Sequence, residues 1–170
     1  MWVWLSAAAA AFLVGSLVEY WGHRAMHVWF KRVRHLEHHR SGTGQGFCRE
    51  FWGYARGVWL LFPVGFIHST AAGVAFAVAS VCYCALAAYA HELQHEHPEC
   101  CFWLRQPVHH LHHSRGLWHH NFGITSHLWD YVFGTYRSLA WQAATPRDWR
   151  NLVRINWLAG AGTARGNTEP

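Results

Sequence analysis

The sequence predicts an all-α fold: integral membrane helices, about three spanning or re-entrant segments, joined to a cytoplasmic, His-rich helical cap. Three observations carry this. Two long stretches, Met1 to Val18 and Gly57 to His91, contain no Asp, Glu, Lys or Arg. The 170 residues hold 16 His and 12 Trp against nine Asp plus Glu, far from ordinary soluble composition. The His and Arg are also segregated from the apolar stretches, which a whole-chain hydropathy average conceals. One domain is expected over residues 1–159, without internal repeats, followed by a disordered Gly-containing tail at 160–170.

The first membrane helix is expected over residues 2–21. Its charge-free part reaches about 27 Å as a helix, close to the roughly 30 Å hydrocarbon thickness. Trp2, Trp4, Tyr20 and Trp21 stand where interfacial aromatics anchor a span. A cleaved signal peptide would carry Lys or Arg before its apolar core, yet the first basic residue is Arg24. Arg24, Lys31, Arg32, Arg34 and Arg40 follow the helix directly, so the positive-inside rule puts the N-terminus outside and residues 23–50 in the cytoplasm. Cys48, Cys82, Cys84, Cys100 and Cys101 form no CxxC pair, which suits a reducing compartment without structural disulfides.

The second charge-free stretch is too long for one crossing, and Pro63, Gly65 and His68-Ser69-Thr70 divide it. Residues 70–90 read as a spanning helix, and 51–67 as a shorter segment broken by Pro63. Together they form a hairpin, with His68 at its turn on the opposite side. That returns the chain to the side it left and joins the His-rich regions 23–39 and 91–127. Pro98, Pro107 and Gly116 then separate short helices. A last helix is expected over 146–158, with Thr145 as N-cap and Pro146 at the first helical position. Trp149, Leu152, Val153 and Trp157 lie on one side of it and Arg147, Arg150 and Arg154 on another, as in a helix resting on an anionic membrane surface or packed on the domain.

The histidines carry the chemistry. His23 and His27 stand one helical turn apart, and His35, His38 and His39 follow at offsets of three and four. The pattern repeats with His91 and His95 in HELQH and with His109, His112 and His113 in HHLHH. Ten imidazoles exceed what one ion takes and suit two metals about 4 Å apart. On one straight helix His23 and His39 would lie about 24 Å apart. A shared site therefore requires a bend within Val28 to Arg34.

Other classes fit less of the pattern. HELQH matches the HExxH zinc-peptidase signature, with Glu92 as general base, but leaves three boxes unexplained. Among non-catalytic readings, paired-His haem binding would explain pairs but not the HxxHH triplets, and metal storage or transport would prefer ionisable residues inside the spanning helices, whereas here they collect beyond the helix ends. The net charge of +5 follows from membrane-surface Arg and gives no reason to invoke nucleic acid. Gly42, Gly44 and Gly46 lack the Lys-Ser/Thr of a phosphate loop.

The segment HHLHHSRGLWHHNFGITSHLWDYVFGTYR, residues 109–137, resembles the fatty acid hydroxylase and sterol desaturase superfamily of membrane di-iron oxygenases and, more distantly, the carotenoid hydroxylases. The likeness extends over roughly residues 15–140. It implies a metal-ligand set of His23, His27, His35, His38, His39, His91, His95, His109, His112 and His113, with no catalytic residue beyond the metal site. It further implies two Fe ions, with zinc an alternative on purification, and O2 as co-substrate. The substrate would be a fatty acyl, sterol-like or isoprenoid membrane lipid, hydroxylated or desaturated at a C–H bond. The chain has neither GxGxxG nor an iron–sulfur cysteine framework, so a separate electron donor, a reductase, ferredoxin or cytochrome, is expected. The short chain resembles bacterial members, which implies a bacterial inner membrane. His119, His120 and Asn121 are expected to support the site. Asp130, Glu92 and Glu37 are the carboxylates available to orient liganding imidazoles or to form helix-surface salt bridges. His97 and His110 are expected to be solvated or packed away from it.

Overall fold

The structure is a computed structural model that describes residues 1–30 and 33–158, without the side chains of 33 and 34. The tail expected at 160–170 lies outside the described residues. Among the described residues there are seven α-helices and three short 3-10 turns, and no strand. The α-helices are α1 (Trp2–Val28), α2 (Val33–Ser41), α3 (Phe47–Val58), α4 (Phe62–Phe66), α5 (Thr70–Glu96), α6 (Val108–Ser114) and α7 (Leu128–Val132).

Helices α1 and α5 are each 27 residues, about 40 Å at 1.5 Å per residue, and both are long and apolar enough to cross a membrane. They exceed the expected spans 2–21 and 70–90 because each continues as regular helix through its first His pair. On α1, Ala7, Ala11, Ser16, Glu19, Tyr20, His23 and His27 are buried, while Trp2, Trp4, Leu5, Leu13 and Val18 face outward. From Ser16 to His27 the buried stripe recurs at three- and four-residue spacing, and the helix packs on α5. The two helices come close at Gly15, where a Cβ would run into the Tyr83 ring. Helix α5 starts at Ser69, whose Oγ accepts from Ala72 N at 3.1 Å and so satisfies one free amide of the first turn.

The segment expected over 51–67 is not one continuous helix. It is divided among α3, a 3-10 turn at Trp59–Leu61 and α4, with Pro63 in the first turn of α4. Proline has no N–H to continue a helix through that point but fits the start of the next one. Helix α4 folds back onto α5 through small residues: a Cβ on Gly73 would collide with the Phe66 ring.

The bend required between the first two His groups is present. Helix α1 stops at Val28 and α2 starts at Val33. The helix expected over 146–158 is reduced to a 3-10 turn at Trp149–Leu152, capped by Asp148 instead of Thr145, with Asp148 Oδ1 accepting from Arg150 N at 3.0 Å. The chain beyond it serves another purpose. The carbonyls of Asn156 and Trp157 accept from Phe47 N at 2.8 Å and Cys48 N at 3.2 Å, which are free amides of the first turn of α3. Within a helix over 146–158 the Asn156 N–H would be committed to Leu152 O, whereas here it is directed out of the segment and donates to Glu96 Oε2 at 2.9 Å. Beneath lies a small core of Leu93, Cys100, Cys101, Leu104, Val108 and Ile155, in which both cysteines are buried free thiols.

Candidate metal centre

The C-terminal ends of α1 and α5 bring His23, His27, His91 and His95 to one end of the helix pair, and α2 and α6 close over them with the two triplets. The nitrogens fall into two groups. His23, His27, His35 and His39 offer ligand atoms within 4.8 Å of one another, as do His38, His95, His109 and His113. His112 joins the first group, its Nε2 lying 3.0 Å from His27 Nε2. Thus neither triplet stays together. His38 parts from His35 and His39, and His112 parts from His109 and His113. Helix geometry explains this: at 100° per residue, offsets of three and four diverge to opposite sides of the reference residue. The groups meet where the rings of His39 and His113 stack, with centroids 3.8 Å apart.

Around His27 Nε2 stand the Nε2 atoms of His35 at 2.7 Å, His39 and His112 at 3.0 Å, and His23 at 3.3 Å. One imidazole nitrogen has a single proton or a single lone pair, so hydrogen bonding cannot satisfy four such neighbours. The tautomers sharpen the contrast. His23 Nδ1 donates to Phe122 O at 2.8 Å, and His112 Nδ1 donates to His120 O at 2.7 Å. Each therefore presents a bare lone pair at Nε2. In the second group, His95 Nδ1 likewise donates to Gly42 O at 3.1 Å, while both nitrogens of His38 and of His113 are buried without a hydrogen-bond partner. Converging buried lone pairs without donors are a donor set for cations, and imidazoles suit zinc and iron alike. Burial, reinforced by neighbouring imidazoles, holds His35 down to about 2, His38 to about 3 and His39 to about 4, with His109, His112 and His113 also well below the ordinary value. These rings are neutral at pH 7, the state that ligation requires.

His91 is placed differently. Its ring lies 4.5 Å from that of His109 and 4.8 Å from that of His95, but its Nδ1 faces Glu50 Oε1 at 3.5 Å and Glu92 Oε1 at 3.8 Å. Burial disfavours a proton on this ring, but the Glu50 and Glu92 carboxylates beside it outweigh that and raise its pKa above the ordinary value, unlike the imidazoles of the two groups. Glu50, on α3, is a partner that sequence spacing did not reveal. Glu92 also fixes the loop before α3, because its Oε1 accepts from Gln45 N and Gly46 N, each at 2.7 Å.

The remaining expected supports act through backbone or not at all. Asp130 touches no imidazole of the groups. Its Oδ1 accepts from Phe122 N at 2.9 Å and from Thr135 Oγ1 at 2.7 Å, and its Oδ2 accepts from Gly123 N at 2.8 Å, which fixes the carbonyl that holds His23. Asn121 adopts φ 59°, a left-handed conformation that Asn tolerates, and its side chain pairs with the backbone of Arg137. His120 contributes its carbonyl, His119 and Glu37 are exposed, and His68 is exposed at the turn before α5. His97 caps α5 and bonds Arg154 O at 3.1 Å, and His110 stands outside both groups.

Two further residues escaped the sequence reading. Glu19, buried on the His face of α1, accepts from Ile124 N at 2.7 Å, Thr125 N at 3.1 Å and Tyr83 Oη at 2.8 Å. Gln94, inside HELQH, donates to Ile124 O at 2.8 Å and accepts from His109 N at 2.9 Å, joining α5 to the loop and to α6. The available signal was a lone carboxylate one turn before His23, in a helix otherwise free of acids.

Two groups of imidazoles converge on one buried space at the end of a pair of long apolar helices, with ligand atoms placed as a metal ion would require. The model of the fatty acid hydroxylase family matches residues 8–135, well over half of the chain, and the protein belongs to that family. Neither the curated proteins nor the solved structures contain a match.

Proposed function

We propose that the protein is a membrane-bound di-iron oxygenase that hydroxylates or desaturates a C–H bond in a lipid tail, with O2 and electrons from a separate donor. The observation that carries this is the pair of imidazole groups, buried, neutral and sharing the His39–His113 stack. Two irons held there would supply O2 activation strong enough for an unactivated C–H bond. His23, His27, His35, His39 and His112 would hold one ion, and His38, His91, His95, His109 and His113 the other. The chain's own work is orientation and exclusion of water. Phe122, 1% exposed, seals the first group against His23, His27 and His112, while backbone carbonyls set the tautomers.

A lipid tail suits the surroundings. A cavity of about 470 Å³ on the flank of α1 and α5 is lined by Phe12, Leu86, Trp103, Leu104, Leu128 and Tyr131, among others. In this reading the N-terminus lies outside and the His cap in the cytoplasm, facing the electron donor. The zinc-peptidase alternative needs Glu92 free to activate water. That carboxylate is fully buried, and its Oε1 is occupied by two backbone amides. The test is metal analysis of iron-grown, detergent-purified protein beside His112→Ala, followed by oxidation of membrane lipids with a chemical reductant. Two irons per chain, reduced in the variant, and an O2-dependent lipid product are expected. One zinc per chain, insensitive to His112→Ala, would refute it.

A further inference from the structure

The turn after α6 carries a side chain that the His geometry does not require. Trp118 is 44% exposed, yet its indole stacks on His39 with centroids 5.0 Å apart and planes at 23°, and meets His27 edge-on at 5.3 Å. His39 stacks in turn on His113. A continuous run of aromatic surface therefore leads from solvent through the first imidazole group to the second. Among the described residues, Trp118 is the one exposed tryptophan in ring contact with any of the ten imidazoles. Its backbone N donates to Gly116 O at 2.9 Å, and the preceding residue is tied on both sides, Leu117 N donating to His112 O at 3.0 Å and His120 N donating to Leu117 O at 3.0 Å, after a left-handed turn at Gly116.

The sequence around this indole is basic. Arg115 and His119 flank Trp118, Arg40 follows His39, and all three are exposed. No Asp or Glu occurs between Glu99 and Asp130, or between Glu37 and Glu50. We propose that Trp118 is where electrons enter the protein, and that the rim of Arg40, Arg115 and Trp118 receives a small acidic one-electron carrier protein. The proposal rests on the oxygenase reading. Converting C–H to C–OH with O2 takes two electrons and two protons and releases one water, so two carrier molecules, each oxidised by one electron, dock per turnover. A few charges around one aromatic suit such transient docking, because complementary charge speeds encounter while a small contact permits release.

The test uses iron-loaded protein in detergent and a reduced plant-type [2Fe–2S] ferredoxin as the probe, mixed anaerobically, with dithionite as the diffusible comparison. Raising salt from about 50 to 300 mM should slow ferredoxin oxidation about tenfold by screening. Arg40→Glu and Arg115→Glu, both exposed, should weaken ferredoxin binding, read as Kd, about tenfold each. Trp118→Leu should slow ferredoxin oxidation about tenfold while dithionite reduction stays at the wild-type rate, and Trp118→Phe should restore most of the loss. Wild-type protein that ignores ferredoxin, charge reversals without effect on Kd, or a Trp118→Leu variant slowed equally with dithionite would overturn the proposal. So would a Trp118→Leu variant that is reduced normally but loses vesicle association, which would make the indole a lipid anchor. Failure of wild-type protein to bind iron, or to be reduced by dithionite, would instead remove the oxygenase reading itself.

Discussion

Replacing Glu19 separates hydrogen bonding from charge at the position that ties α1 to the loop holding His23. Its Oε1 accepts from Ile124 N and Thr125 N, and its Oε2 from Tyr83 Oη. Glu19→Gln keeps the shape. Its amide oxygen accepts from the same two backbone groups, and its amide nitrogen donates to Tyr83 Oη, which is free to turn its own proton to Thr125 Oγ1, 2.9 Å away. The loss is the charge assistance, about 1 kcal/mol. Glu19→Ala removes all three bonds and leaves two buried N–H groups unpartnered. At about 1.5 kcal/mol for each charged hydrogen bond it costs about 4.5 kcal/mol, a large share of an ordinary stability of about 5–15 kcal/mol. The released loop also stops holding Phe122 O against His23, so metal should be lost from the first imidazole group before the second. Thermal unfolding in detergent and metal content measured on both variants check this. If Glu19→Gln proves as damaging as Glu19→Ala, or Glu19→Ala costs under about 1 kcal/mol, the bonding argument is wrong.

Asp130→Ala frees Phe122 N, Gly123 N and Thr135 Oγ1 and should cost about 3–4 kcal/mol in thermal unfolding, with the same preferential metal loss as Glu19→Ala. Gly123→Ala would push a Cβ into the Ser126 carbonyl, where backbone must move, so a loss above about 2 kcal/mol is expected in the same measurement. The imidazoles of His35, His38 and His39, held near 2, 3 and 4, bind protons more readily unfolded than folded. Their stability contribution is therefore full above the ordinary value of 6.5 and is lost as pH falls from there toward those lower values, so a pH series should show acid-induced metal release and unfolding without a matching alkaline loss. Ser69→Ala removes the cap of α5 and should lower stability by about 1 kcal/mol without changing metal content.

Helices were legible where charge was absent and periodicity strong. The boundaries of α1 and α5 ran past the expected spans because a His pair continues a helix as readily as apolar residues do. The bend after Val28 followed from distance alone, although no Gly or Pro marks it. The C-terminal segment misled because Thr145-Pro146-Arg147-Asp148 has local helix-start chemistry, whereas tertiary bonds from Asn156 and Trp157 to α3 outweigh propensity. The convergence of the imidazoles was readable from offsets of three and four. Their division across two groups depends on how α2 and α6 are rotated over the bundle, which no local pattern encodes. Glu50 and the carbonyls of Phe122 and His120 left no sequence signal: a carbonyl is present at every residue, and Glu50 is far in sequence from His91.

Helix α2 has nine residues, fewer than the roughly 12–15 an isolated helix needs to persist in water. Among its described side chains the buried ones are His35 and His38, and they point into different imidazole groups. Among the described residues of this helix it is thus imidazole that reaches the interior, and one short rod is shared by both groups. Filling either group fixes the rotation of α2 and with it the lone pairs of the other, so the first ion pre-organises the seat of the second. Loading should be positively cooperative, and the protein should pass between empty and doubly filled forms with little of the singly filled one.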